Sequence, residues 1–411
     1  MKKEKTHSKI KFILLYVWMV IILSQVLKTN YSHIYFPIFF SVFLIITILI
    51  AQNGYFIKGV DFFTIQIWIF YLLILYIGSI SFFYGDLSDF LKAFPRMIIM
   101  PLTVVVLINL ISSKEQFIKI IELVILFSII AASSLIYQVY YGPLDFLVDS
   151  QSRLGLNRYA STFGSLTIYG GVVGIITLLV LRKDLNLLLK FSIITLFLTS
   201  AFITLAKAAI INILIIIIFS LFFLKIKYKG RLALLIIAAL SFIYVIFPQL
   251  GIYIIKSFET LGFSSSEIDV SSNSSFVYQF LKRSLYSIEY LSGFKILDLI
   301  FGFGLIGGQG VFGLPYSFTG TTHNQFMDLY LIGGIFLFLN IVFLILSLML
   351  ELNKMKRKDT LAETFFFCNI IGIINMFFFN GFIYQPVTSI VFWLSIVYVL
   401  KFRDNNYEKS I

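Results

Sequence analysis

The stretch Phe326–Leu350, FMDLYLIGGIFLFLNIVFLILSLML, carries one charged side chain, Asp328. As a helix rising 1.5 Å per residue it covers about 37 Å, more than the ~30 Å hydrocarbon core of a bilayer. It reads as a transmembrane helix. The residues just before it are of the opposite kind: Gly320-Thr321-Thr322-His323-Asn324-Gln325. A polar, hydrogen-bonding patch therefore runs straight into an apolar span. Chemistry at a water–lipid boundary needs such a place.

Working outward, similar apolar runs recur along the whole chain of 411 residues. The chain is 59% hydrophobic and 13% charged, with a mean hydropathy of +0.97. A soluble domain carries roughly twice that share of charge. The runs are continuous rather than alternating, which argues against a β-barrel. The fold class expected is all-α, a polytopic membrane protein with about 12 transmembrane helices. The single cysteine, Cys368, lies in an apolar run and leaves no disulfide framework or cysteine metal site. Residues 1–11 are basic, and the apolar run after them lacks a small-residue cleavage site. They read as the lead into a first anchor rather than a cleaved signal.

The twelve spans fall near 12–27, 33–51, 62–82, 96–112, 117–140, 166–181, 188–204, 208–224, 232–254, 326–350, 364–382 and 386–401. No linker divides them, so residues 1–411 read as one integral membrane domain. Lys and Arg favour the cytoplasmic side. With both termini inside, 22 of the 32 basic residues lie there, while the 20 acidic residues split evenly between the two sides. The whole net charge of +12 is then cytoplasmic. The basic balance is thus a topology signal, suited to the lipids of an anionic inner leaflet, and no nucleic acid is implied.

This orientation gives two sizeable outer loops, 141–165 and 255–325. The second begins with a serine-rich stretch, Ser264 to Ser275, of the composition of a mobile linker. From Phe276 to Leu291 it shows helical periodicity, with Phe276, Phe280, Leu281, Leu285 and Ile288 on one side. Arg283, Tyr286 and Tyr290 share another face at i, i+3, i+7. An amphipathic helix on the outer membrane surface is expected there.

His323 is the first candidate for chemistry. An imidazole titrates near neutrality and can take a proton from a hydroxyl. The bland alternative is an interfacial polar residue, but Asn324, Gln325 and Asp328 crowd the same stretch, and Asn324 or Asp328 can orient the ring. Cations on the outer side are few. Arg158, Arg283 and Lys207 stand out, because arginine grips phosphate with a bidentate fork and a cation near lipid depth faces a cavity or a partner. The plain alternative for each is pairing with an acid or a headgroup. Residues 302–307 match G-x-G-x-x-G, but no strand–helix unit frames them, so the dinucleotide reading is rejected. Glycines there let backbone pass close to backbone or ligand. Glu122 sits inside a span near its inner end and reads as locally hydrogen-bonded.

The order of these motifs resembles a known family. Arg158 precedes a Phe-Gly-Ser stretch entering a span, and a Thr-x-x-basic turn follows at Thr204–Lys207. Then come Arg283, the Phe301–Gly304 run, and His323-Asn324 with Asp328 and Gly333-Gly334 beyond. Over roughly residues 155–345 the chain is similar to the Wzy-like O-antigen and capsular polysaccharide polymerases, which are related to O-antigen ligases. The family often shows Ser-Arg where this chain has Ala206-Lys207, which keeps the charge and loses the fork.

The resemblance implies glycosyl transfer on the outer face of the bacterial cytoplasmic membrane. The donor would be a growing glycan on undecaprenyl diphosphate, and the acceptor a single lipid-linked repeat unit. His323, Arg283 and Arg158 would be catalytic. Lys207, Asn324, Asp328, Tyr286 and Tyr290 would bind substrate, the tyrosines by stacking on sugars. No cofactor and no metal are implied, and a flippase and chain-length regulators are the expected partners. Two rivals share parts of the pattern. A ligase shares the chemistry, and a flippase for lipid-linked oligosaccharide shares the span count. A flippase of that kind is built from pseudo-symmetric halves, and the long loop after the ninth span has no counterpart.

Overall fold

The computed structural model describes the chain except residues 1, 25–30, 54–60, 85–86, 148–150, 154, 165–167, 207–208, 210, 214, 217, 219–228, 260–295, 305–323, 378–381, 384 and 409–411. It is mostly helical. In chain order the described elements are α1 (Lys2–Leu23), α2 (Ser32–Asn53), α3 (Phe62–Tyr84), α4 (Leu87–Leu110) and α5 (Lys114–Tyr141). A hairpin follows, β1 (Gln151–Arg153) and β2 (Leu156–Arg158), and then α6 (Ile168–Arg182), α7 (Leu187–Ile203), α8 (Lys229–Ile246) and α9 (Pro248–Glu259). The rest are α10 (Ile296–Phe301), α11 (Gln325–Met355), α12 (Thr360–Met376) and α13 (Pro386–Glu408).

Four helices among the described residues are long and apolar enough to cross a membrane: α3, α5, α11 and α13. Six expected spans coincide with shorter apolar helices, Ile10–Leu23, His33–Ile48, Met97–Leu110, Ile168–Arg182, Leu187–Ile203 and Thr360–Met376. The composition and elements are those of an all-α membrane protein. The expected span 208–224 and the expected amphipathic helix 276–291 lie largely or wholly outside the described residues.

Two expectations change. The run 232–254 is not one straight helix. Its parts Ile236–Val245 and Pro248–Lys256 meet at 116°. Pro248 has no N–H to continue the ladder and disfavours helical backbone in the residue before it, so α8 stops and α9 starts at the proline. The stretch 141–165 was expected as plain loop and contains the hairpin, paired Gln151↔Arg158, Ser152↔Asn157 and Arg153↔Leu156.

The chain divides into two compact units, each discontinuous in sequence: residues 1–54 with 110–276, and residues 55–109 with 277–411. In the first unit α6 is the central helix, with every residue from Tyr169 to Leu181 buried. Polar pairs fix its neighbours. The Tyr169 and Ser200 hydroxyls meet at 2.6 Å, and Asn212 Nδ2 donates to Gly170 O at 3.1 Å. At the far ends of α5 and α6 from these contacts, Lys183 Nζ pairs with Glu122 at 2.8 Å. Glu122 is therefore ion-paired across helices rather than bonded within its own.

In the second unit α11 packs on α3 through a buried amide pair, Asn340 Nδ2 donating to Gln66 O at 3.1 Å and to Gln66 Oε1 at 2.9 Å. Asn369 Nδ2 donates to Ser395 Oγ at 2.8 Å between α12 and α13. Such interhelical bonds contribute roughly 0.6 kcal/mol apiece in lipid, and they set register as much as stability. Arg403 pairs with Asp61, and the Tyr398 hydroxyl donates to Asp359. Lys354 and Glu351 pair at the same end of this unit. Asn324 and Asp328, at the start of α11, lie at the other end. Likewise Arg158 lies at the opposite end of the first unit from Arg182, Lys183 and Lys190.

Candidate functional site

In the first unit Arg158 ends strand β2 and reaches the C-terminal end of α7. Its Nε donates to Thr204 O at 2.8 Å. The last carbonyls of a helix lack partners within the helix and carry the negative end of its dipole, so a guanidinium is a fitting cap. The turn so capped is tightly built. Thr204 Oγ1 donates to Ala201 O at 2.7 Å and accepts from Ala206 N at 3.2 Å. Leu205, fully buried, holds φ at 47°, and it is the only described non-glycine residue with a positive φ. A leucine in that region is strained, and it persists only where its surroundings over-determine it.

The residues flanking Arg158 are pinned too. The Tyr253 hydroxyl on α9 donates to Asn157 O at 2.5 Å. Gln138, buried on α5, donates from Nε2 to Ala160 O at 2.9 Å. Two sequence motifs separated by more than forty residues, the Arg158 strand and the Thr204 turn, are thus one assembly. Lys207, which follows Ala206, lies outside the described residues.

In the second unit Asn324 is the N-cap of α11. Its extended backbone (φ −133°, ψ 106°) lets Oδ1 accept from Phe326 N at 3.1 Å and Met327 N at 3.4 Å. Asp328 is buried in the first turn, its N–H bonded to Asn324 O at 3.0 Å, where the positive end of the helix dipole favours a carboxylate. Gln325 is fully buried, and its Oε1 accepts from Phe382 N at 2.8 Å. Ile383 O in turn accepts from Trp393 Nε1 at 2.7 Å, and the Phe326 ring packs on Phe377 with centroids 5.1 Å apart. The start of α11 is held by the connection between α12 and α13. Replacing Asn324 by Ala is expected to cost about 1 kcal/mol of stability, read as a lower midpoint in thermal unfolding of the detergent-solubilised protein.

Eight residues into α11 the ladder breaks. Gly333 (φ −125°, ψ 15°) and Gly334 (φ 64°, ψ −163°) are not helical. The break strands carbonyls at the end of the first segment, and the residues just after α10 supply donors for them. Phe303 N donates to Leu331 O at 2.7 Å and Gly304 N to Ile332 O at 2.9 Å. The backbones touch, since a Cβ on Gly302 would lie 2.4 Å from Gly334 N and one on Gly334 only 2.1 Å from Ile300 O. This is the use of the Phe-Gly-Phe-Gly run: backbone against backbone at a broken helix. The segment after the break, Ile335–Met355, covers about 31 Å by itself, so the turns that carry Asp328 are additional to a full span.

Arg283, Tyr286, Tyr290 and His323 lie outside the described residues. Arg158 is described in the first unit, Asn324 and Asp328 in the second. Among the described residues no group of three or more His, Cys, Asp or Glu side chains is placed to hold a metal. Sequence reasoning passed over Tyr253 and Gln138, and read Gln325 for its hydrogen-bonding capacity without its buried partner Phe382 N. Pro248 was the available signal for the first, because a break there takes Tyr253 out of the span and onto a separate helix. A buried amide near the end of an apolar helix was the signal for Gln138. A comparison with protein-family models finds no match, and a comparison with curated proteins finds none either.

Proposed function

We propose that this chain is a polysaccharide polymerase, joining undecaprenyl-diphosphate-linked oligosaccharide repeat units on the outer face of the bacterial cytoplasmic membrane, for O-antigen or capsule. The observation that supports it most is that the motifs carrying the resemblance meet in pairs. Arg158 bonds the Thr204 turn, and Phe301–Gly304 docks on Gly333–Gly334. The topology in this reading has twelve spans with both termini cytoplasmic. The clustering of Arg182, Lys183 and Lys190 away from Arg158 supports that orientation, as does that of Lys354 and Arg403 away from Asn324.

The chemistry follows from the residue types. The acceptor hydroxyl oxygen attacks the anomeric carbon of the donor sugar, the bond from that carbon to the diphosphate oxygen breaks, and the diphosphate leaves on its lipid. Charge develops on the leaving oxygen, and fixed cations aimed at it lower the barrier. Arg158 and Arg283 take that role, with Lys207 in support. His323 takes the proton of the acceptor hydroxyl. Tyr286 and Tyr290 stack on sugars. Activation resides in the lipid diphosphate, so the reaction calls for no nucleotide sugar and no metal.

The test is reconstitution. Purified protein in liposomes is given the undecaprenyl-diphosphate repeat unit of its own strain, and the products are separated on a gel beside His323→Ala and Arg283→Ala. A ladder with wild type that vanishes in both variants is expected. A ladder that survives both would overturn the residue roles. Wild type making no ladder, while transferring glycan to a lipid A core, would replace polymerase with ligase. Movement of the substrate between leaflets without any transfer would replace it with flippase.

A further inference from the structure

We propose that Tyr253 is a positioning residue for Arg158: its bond to the Asn157 carbonyl, together with the bond from Arg158 to the Thr204 carbonyl, sets the direction in which the guanidinium meets a lipid-linked diphosphate. The ligand in this inference rests on the reading above, whereas the geometry does not.

The argument starts from how little holds the hairpin by itself. Each strand has three residues, and a lone two-stranded hairpin of that size is marginal in water. Asn157 is exposed and Arg158 half-buried, so burial does not fix them. Among the described residues, three hydrogen bonds from other elements help to do so. Gln138 holds Ala160 from α5, Thr204 holds the Arg158 side chain from the end of α7, and Tyr253 holds Asn157 from α9. Tyr253 is 5% exposed, with the Tyr159 side chain beside its hydroxyl. It acts on the peptide unit that joins Asn157 to Arg158, and so on the base of the arginine itself.

The other end of the arginine is equally determined. Nε is bonded to a carbonyl whose own residue has its hydroxyl engaged twice, beside the strained Leu205. Strain of this kind is kept where a fixed geometry is worth its cost, as at ligand clamps. A charge clamp lowers a barrier only if it is already aimed when charge develops. Two anchors, one on the backbone beside Arg158 and one on its side chain, provide that aim. Tyr253 stands on α9, beyond the 116° bend at Pro248.

Tyr253→Phe removes the hydroxyl and keeps the ring, so the helix still packs. Tyr169→Phe serves as a control, since it also deletes a buried hydroxyl in the same unit, the one paired with Ser200. The first readout is the rate at which phenylglyoxal modifies Arg158 in the detergent-solubilised full chain, followed by peptide mass spectrometry. Tyr253→Phe is expected to change that rate several-fold and Tyr169→Phe to leave it near the wild-type value. The second readout is polymerisation, where Tyr253→Phe is expected to lower kcat about tenfold with the donor KM within about twofold, the size of one lost hydrogen bond to a positioned group. An Arg158 modification rate equal in Tyr253→Phe and wild type overturns the proposal, whatever the activity. A rate that changes in Tyr253→Phe alone, in a protein that makes no polymer, upholds the positioning and overturns the polymerase reading instead.

Discussion

Gly334→Ala will unfold or misassemble the second unit. Its backbone sits at φ 64°, ψ −163°, a region essentially closed to residues with a Cβ. The added methyl would stand 2.1 Å from Ile300 O and 2.8 Å from Gly302 N. Neither neighbour can retreat, because the next N–H groups along that segment, those of Phe303 and Gly304, are bonded to Leu331 O and Ile332 O. Relief therefore means losing both bonds and leaving the Leu331 and Ile332 carbonyls without those partners. The expected loss is about 3–5 kcal/mol, read as a lower thermal midpoint and a smaller monodisperse fraction in size-exclusion chromatography. Gly230→Ala is the control, since a methyl there meets nothing within 4 Å and helix propensity favours it by about 1 kcal/mol. If Gly334→Ala and Gly230→Ala behave alike, the docking of α10 on the broken helix is wrong.

The second large effect is at Arg158. Arg158→Ala removes a cation and the cap of α7 together, and on the proposed function polymerisation is expected to fall by about a thousandfold. Arg158→Lys is the more informative change. A guanidinium can give Nε to Thr204 O and still present its terminal nitrogens elsewhere. An ammonium is one point charge on a flexible stem and serves either the carbonyl or the phosphate. The charge is kept and the geometry lost, so kcat is expected to fall about 10–100-fold, the range of one charge-assisted hydrogen bond. Circular dichroism and the unfolding midpoint should stay near wild type. Full activity in Arg158→Lys would mean that only the charge matters, and that the bond to Thr204 is incidental.

How far the sequence led depended on the range of the forces involved. Apolar runs locate helices because burial in lipid is a property of each segment alone, and 62–82 and 326–350 coincide with α3 and with most of α11. The Phe-Gly-Phe-Gly run and Gly333-Gly334 were each noticed, but their pairing was not legible. It is made by backbone groups 28 residues apart that carry no side-chain signature. Asn324 was read for its hydrogen-bonding capacity and found as a helix cap. An Asn directly before an apolar periodic run is a standard start signal, and its chemistry drew attention from that role. Pro248 was the clearest missed sign, since a proline deep in an expected span marks a break unless a neighbour compensates.

The docking of residues 303–304 on 331–332 also closes a ring in the chain. Everything between the two contact points leaves from one fixed place and returns to it. Closing such a ring becomes only slowly more costly as it lengthens, by about 0.6 kcal/mol for each doubling. The glycine contact thus works as a fixed joint: residues 303–304 and 331–332 are held together by backbone groups alone, so the first turn of α11 keeps its place.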